Sequence, residues 1–368
     1  TLGDGEAFRA ARDAAGEGAA ALVFVPGGSP LVAALPRARG GVGIGLSADH
    51  ARVHARAALL AGGREAALRA LEAGGAGAAA AARLRGDAAV VLRWDGDPAA
   101  LGARIVPLVP EADRARFAAH GVDLRRDLFD VLAPGAAVAL SLAPHAAVSA
   151  LSPDAFRADP LQLLEVEAIL PVKVEAKAAL PRIAAALAET VPAPPSARGG
   201  GSRDASPPAG RSARTGARPA EKRTSGAARE DAFVSIPTAS GEIAWRLDPR
   251  ANRLFLAAGA PGRLDALVAR VEARGAGFRA PTPAADDALA GGLGGAVVDV
   301  QRLVADVRTL PTAAFGSGPS GFVMRALTER FIDPAARLAA VSLEARVAHG
   351  ALVLDLTIEA RDARGTPQ

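Results

Sequence analysis

From Pro192 to Asp231 the chain runs for forty residues without one Val, Ile, Leu, Met, Phe or Trp. A stretch with nothing apolar to bury cannot offset the entropy of ordering its backbone, so this insert is predicted to be disordered. Folding is left to the segments on either side. The insert carries eight basic residues, from Arg198 to Arg229, against four acidic ones, and the other 328 residues hold thirty-five of each sign. The part expected to fold is electrically balanced. A nucleic-acid-binding fold presents a basic face, so no specific nucleic-acid partner is expected, only weak attraction of polyanions to the insert.

Half of the 368 residues are hydrophobic, enough for one large core or two smaller ones. No run of about 18 uncharged apolar residues exists, so no transmembrane segment is expected. The most apolar stretch, Leu132 to Leu151, is interrupted by Pro134, Gly135, Pro144 and His145 and reads as turn, buried strand and turn. With no Cys there are no disulfides, no thiolate metal ligands and no Cys nucleophile. Only three Lys stand against forty Arg, so the high isoelectric point reflects Arg usage as much as any partner. The start at Thr1, without Met or a signal-like segment, suggests a processed form, and leaves open an export signal or lipid anchor upstream.

Periodicity predicts an α+β protein. Strands are expected at Ala21–Val25, Val42–Gly45, Ala88–Trp94 and Ala136–Leu142, and helices from Pro30, over Asp49–Ala61, over Arg64–Leu84, from Asp97–Pro98, over Glu111–His120 and over Leu124–Leu132. The stretch LLEVEAILPVKV alternates around Pro171 and predicts a strand with a bulge or an edge position, followed by the helix EAKAALPRIAAALAET. Beyond the insert, GEIAWRL and NRLFLAAG read as two strands joined by a tight turn. GRLDALVARVEARG is an amphipathic helix with Leu264, Leu267, Val268 and Val271 on one face, and GAVVDV is a further strand. This order is that of a ferredoxin-like βαββαβ unit, with the insert in the loop after its first helix. The C-terminus alternates around His349–Gly350 and predicts an antiparallel hairpin with one wet side. The expected architecture is therefore antiparallel or mixed sheets covered by helices. An N-terminal α/β lobe would span 1–150, and a C-terminal α+β lobe would span 151–368, interrupted by 192–231.

The stretches GVDLRRDLFDVLAPGAAVALSL, AWRLDPRANRLFLAAGAPGRLDALVARV and VSLEARVAHGALVLDLTIE resemble a broad class of bacterial exported proteins of unknown function. The match is loose and covers about a quarter of the chain. It implies an α+β protein outside the cytoplasm, in periplasm or envelope, often anchored at its N-terminus like a lipoprotein, with no established chemistry and no catalytic residues to assign.

The search for chemistry leaves few candidates. GSGPSG at Gly316–Gly321 satisfies a dinucleotide-binding spacing but lacks the preceding strand and the later acidic residue, so a turn with Ser320 capping a helix is expected. GGLGG at Gly291–Gly295 lacks the Lys of a phosphate loop. His50 and His54 have a zinc-ligand spacing, but Ala51 stands where a metalloprotease has its Glu, and exposed helix histidines are the expectation. Adjacent Asp286 and Asp287 are explained by a helix start. Glu165 and Glu167 share a strand face and are expected on its wet side. Trp94 and Trp245 close apolar strands and are expected to pack in the core or at a sheet edge. No catalytic, cofactor-binding or metal-ligating residue is assigned. The reading that follows is a non-enzymatic, exported or envelope-associated binding or structural module, whose partner is a protein or a small apolar ligand. A carrier enclosing an apolar ligand between sheet and helices, and a metal-dependent enzyme whose site assembles only in space, are the alternatives. A cytoplasmic location is the alternative compartment.

Overall fold

The computed structural model describes residues 5–16, 18–27, 29, 40–49, 51–60, 68, 76–144, 146, 159–190, 233–275, 277–315 and 319–361. The predicted disorder of the insert, the helix from Pro30 and most of the helix over Arg64–Leu84 lie outside these residues. The strands are β1 (Ala21–Val25), β2 (Gly41–Ala48), β3 (Arg52–Leu60), β4 (Val90–Trp94), β5 (Ala136–Leu142), β6 (Leu164–Pro171), β7 (Phe233–Thr238), β8 (Gly241–Asp248), β9 (Arg253–Gly259), β10 (Gly294–Asp299), β11 (Leu338–Ala348) and β12 (Ala351–Ala360). They form one sheet in the order β1-β2-β3-β12-β11-β10-β4-β5-β6-β9-β8-β7, antiparallel at every pairing. The chain is α+β. Strands from both sides of the insert alternate within the sheet.

The register explains which residues are inside. One row of cross-strand neighbours runs Ala21, Leu46, Ala55, Leu356, Leu343, Ala296, Leu92, Val138, Ala168, Leu256, Trp245 and Val234, apolar on all twelve strands. Because strand side chains alternate with period two, this row defines a continuous apolar back face. The rows between it carry Gly45, Arg56, Asp355, Glu344, Gly295 and Arg93, and Ser47, His54, Thr357 and Ser342, on the opposite front face. The front is nonetheless covered. Helix α1 (Glu6–Ala15) lays Ala11, Ala14 and Ala15 on Ala58, Leu60, Ala351 and Val353. Helices α2 (Gly77–Ala81), α6 (Arg263–Glu272) and α7 (Pro283–Ala290) cover Val91, Ala139, Ala257 and Val297. On the back, α5 (Ala176–Thr190) packs Ala176 and Leu180 on Ile236, Trp245, Leu247 and Leu254. The remaining helices are α3 (Pro98–Ile105), α4 (Glu111–Ala119), α8 (Val300–Thr309) and α9 (Pro319–Ala335).

Counted outward from the central β4–β10 pair, both halves of the sheet have one plan. One side runs β4, β5, β6, β9, β8, β7, and the other runs β10, β11, β12, β3, β2, β1. Adding six to each strand number, cyclically, converts one half into the other. The chain is thus a tandem repeat, β1–β6 then β7–β12, whose repeats interleave: β3 pairs with β12, and β9 with β6. Small details repeat as well. Asp49 Oδ1 accepts from the amides of Ala51 and Arg52 in the β2–β3 turn, both at 2.8 Å, and Asp248 Oδ1 accepts from Arg250 and Ala251 in the β8–β9 turn, at 3.0 and 3.2 Å. Asp97 and Asp299 cap the helices that follow β4 and β10.

Two expectations are corrected. The helix over Asp49–Ala61 is strand β3, because Val53, Ala55, Ala57 and Leu59 alternate with His54, Arg56, Ala58 and Leu60, and pairing on both sides overrides the helix propensity of its alanines. Strand β6 is interior, between β5 and β9, rather than an edge. Pro171 is tolerated as its last residue, where its carbonyl accepts from Ala133 N at 2.8 Å. The β4-α3, β8–β9 and α6 expectations agree with the structure. A complete ferredoxin-like unit would set β10 beside β6, a place occupied by β5.

Candidate functional site

At the centre of the back face lies a cavity of about 380 Å³. Its floor is built from β5, β4, β10 and β11, which present Val138, Leu92, Ala296 and Leu343 in one row, with Trp94 and Ala345 beside them. The roof comes from α3, through Pro98 and Leu101, and from a π-helical turn at Leu124–Phe129, through Phe129. Local sequence sets that roof. Asp97 caps α3 by accepting from Ala99 N at 3.0 Å, with Pro98 as its first residue. Asp123 caps the π turn by accepting from Arg126 N at 2.9 Å, and buried Asp127 is held by Arg126 and Arg182. The two roof elements meet at Gly102, where an added Cβ would stand 2.4 Å from Phe129 Cβ. Only glycine lets them approach so closely.

The lining is almost wholly apolar. Arg93 belongs to it by position, but its side chain turns to the front, where it pairs with buried Asp95 and donates to Gly291 O. Trp94 is different. Its indole Nε1 is buried with no acceptor among the described residues, an unmet donor in a residue that lines the cavity. Such a space suits an apolar molecule.

The titratable groups of the front face are organised as ion pairs. Glu165 and Glu167, expected on a wet face, are 3% and 2% exposed. The reason is the interior position of β6 beneath α6, whose arginines neutralise them: Arg263 pairs with Glu165, and Arg270 Nη1 lies 2.9 Å from Glu167. Arg85 bridges Glu165 at 3.0 Å and Asp87. The hydrogen bond from Arg85 holds the Asp87 carboxyl at a pKa of about 2. Burial pushes the Glu344 carboxyl up. His54 lies on β3 rather than a helix, with Nδ1 3.0 Å from Thr357 Oγ1, and His50 is outside the described residues. No group of three metal-ligating side chains occurs among the described residues. Asp286 and Asp287 lie on the first turns of α7. The Gly316–Gly318 part of GSGPSG is outside the described residues, and α9 begins at Pro319. Trp245 is core, 2% exposed.

The central cavity was not foreseen. Its lining comes from four strands, α3 and the π turn, and each residue alone is an ordinary core side chain. The one local signal was DGDP, which fixes the roof helix. No helix among the described residues is long and apolar enough to cross a membrane. Comparison of the chain with protein families, with curated proteins and with solved structures finds no match.

Proposed function

We propose that the protein is a non-catalytic binding module that holds a small apolar molecule or acyl chain against the back of its sheet, and that it works outside the cytoplasm. The observation that carries the binding reading is the 380 Å³ apolar cavity on the one sheet face that is apolar across every strand. The paired state of Glu165 and Glu167 supports a non-catalytic role, since each is neutralised by arginine. The extracytoplasmic setting rests on the sequence resemblance alone. In the same reading, β6, α5, β8 and β9 serve as the first half of a ferredoxin-like unit, with β9 between β6 and β8.

The test is direct. Native mass spectrometry and organic extraction of purified protein should recover a bound apolar compound. Leu343→Glu, at the rim of the cavity, should weaken binding of an apolar fluorescent probe by about tenfold or more with unchanged circular dichroism. Probe binding that the substitution leaves unchanged sinks the reading.

A further inference from the structure

A second cavity, of about 410 Å³, opens on the front face at the end of β6 and β9. Its walls are Ala76, Ala79 and Ala80 of the α2 region, Ile169 and Pro171 of β6, and Val271 of α6. Three arginines from three elements line it: Arg83, Arg253 and Arg274. No carboxylate does. Elsewhere on the front face Arg52, Arg56, Arg85, Arg93, Arg263, Arg270 and Arg302 each face an acidic partner. Here Arg83 Nη1 donates to Gly275 O at 3.0 Å, and neither the Arg253 nor the Arg274 side chain has a hydrogen bond or ion pair among the described residues. The nearest carboxylates are Glu272, two positions before Arg274 and 3.8 Å from Arg246, and Asp248, the cross-strand neighbour of Arg253, whose Oδ1 is engaged with the amides of Arg250 and Ala251. Arg274 has φ of 49°, a left-handed position at the end of α6 where glycine is usual, so a guanidinium is present where the backbone would favour no side chain at all.

We propose that this cleft binds a compact oxyanion, a phosphoryl group on a small molecule or on a lipid head. Guanidinium forks match phosphate oxygens in pairs, and three of them that form no ion pair among the described residues, in a cavity with no carboxylate in its lining, leave it positive. Ile169 and Val271 supply an apolar wall for whatever carries the phosphoryl group. This site lies on the opposite sheet face from the apolar cavity and stands without it.

Inorganic phosphate, titrated into the full chain against chloride at equal ionic strength, should raise the unfolding temperature in a saturable way. The double variant Arg253→Ala/Arg274→Ala should weaken that binding by about tenfold or more. Arg274→Gly separates binding from folding, because glycine suits the left-handed backbone: it should unfold at no lower temperature than the parent yet bind phosphate more weakly. Vesicles of a phosphate-headed anionic lipid and a soluble phosphate monoester, run in parallel, show which carrier is preferred. Binding of either that depends on both arginines supports the site. Equal responses to phosphate and chloride, or undiminished binding by the double variant, overturn it.

Discussion

The two halves of the sheet share a strand order but differ in how the described residues cover them. On the β6-β9-β8-β7 side, α5 covers the apolar back face, and Ile236, Trp245, Leu247 and Leu254 are buried beneath it. On the β12-β3-β2-β1 side, the equivalent face leaves Val23, Leu46 and Val53 about half exposed. The front reverses the emphasis. Alanines of α1 sit on the β2-β3-β12 front, close enough that Gly43 and Gly45 could not carry a Cβ without meeting Ala11 and Ala15, while the β6–β9 front needs arginines of α6 to neutralise buried glutamates. One strand plan therefore accommodates two ways of burying a face, and the apolar cavity lies between the half covered by α5 and the half that leaves Val23, Leu46 and Val53 exposed.

The largest effect should come from the front. Glu167→Ala removes a buried carboxylate and leaves the part-buried Arg270 guanidinium and the Arg85 amide without their acceptor, and should cost about 3–5 kcal/mol in urea unfolding. Asp355→Ala, in the other half, removes a carboxylate 19% exposed and shared by Arg56 and Arg346, and should cost about 1 kcal/mol. Equal costs would mean that the two front faces are energetically alike. On the back, Trp245→Ala beneath α5 should destabilise by about 3 kcal/mol, at the low end for a Trp truncation because its Nε1 is buried without an acceptor among the described residues. Leu46→Ala, in the same cross-strand row but 44% exposed, should change stability by about 0.5 kcal/mol. A large loss at Leu46 would show that this face is covered in solution. The two turns test the repeat itself. Asp49→Ala and Asp248→Ala each remove one side-chain acceptor from two turn amides, and should cost about 1 kcal/mol apiece, equal within error.

How far the fold was legible depended on where its signals sit along the chain. Strands β1, β5, β8 and β9 and helices α3 and α6 were legible because the alternation, the Asp-Pro cap and the amphipathic stripe lie within a few residues. Strand β3 was misread because RVHARAALL is rich in alanine, which favours helix in isolation, and only its pairing with β2 and β12 gives the alternation meaning. Glu165 and Glu167 were placed in water because alternation says which residues share a face, not which face is buried. Their arginine partners stand 98 and 103 positions away at Arg263 and Arg270, and no local pattern joins them. The candidate site was less legible still. Leu92, Val138, Ala296 and Leu343 become neighbours only through three strand pairings.

By itself the sequence determined the class of the protein, the electrical balance outside the insert, and the local turns and caps, because those depend on composition and on contacts a few residues apart. Tertiary structure alone decided the interleaved repeat, the burial of the glutamates and the two cavities. These depend on which strand lies beside which, and the pairings that settle it, β3 with β12 and β4 with β10, join residues about 200 to 300 positions apart.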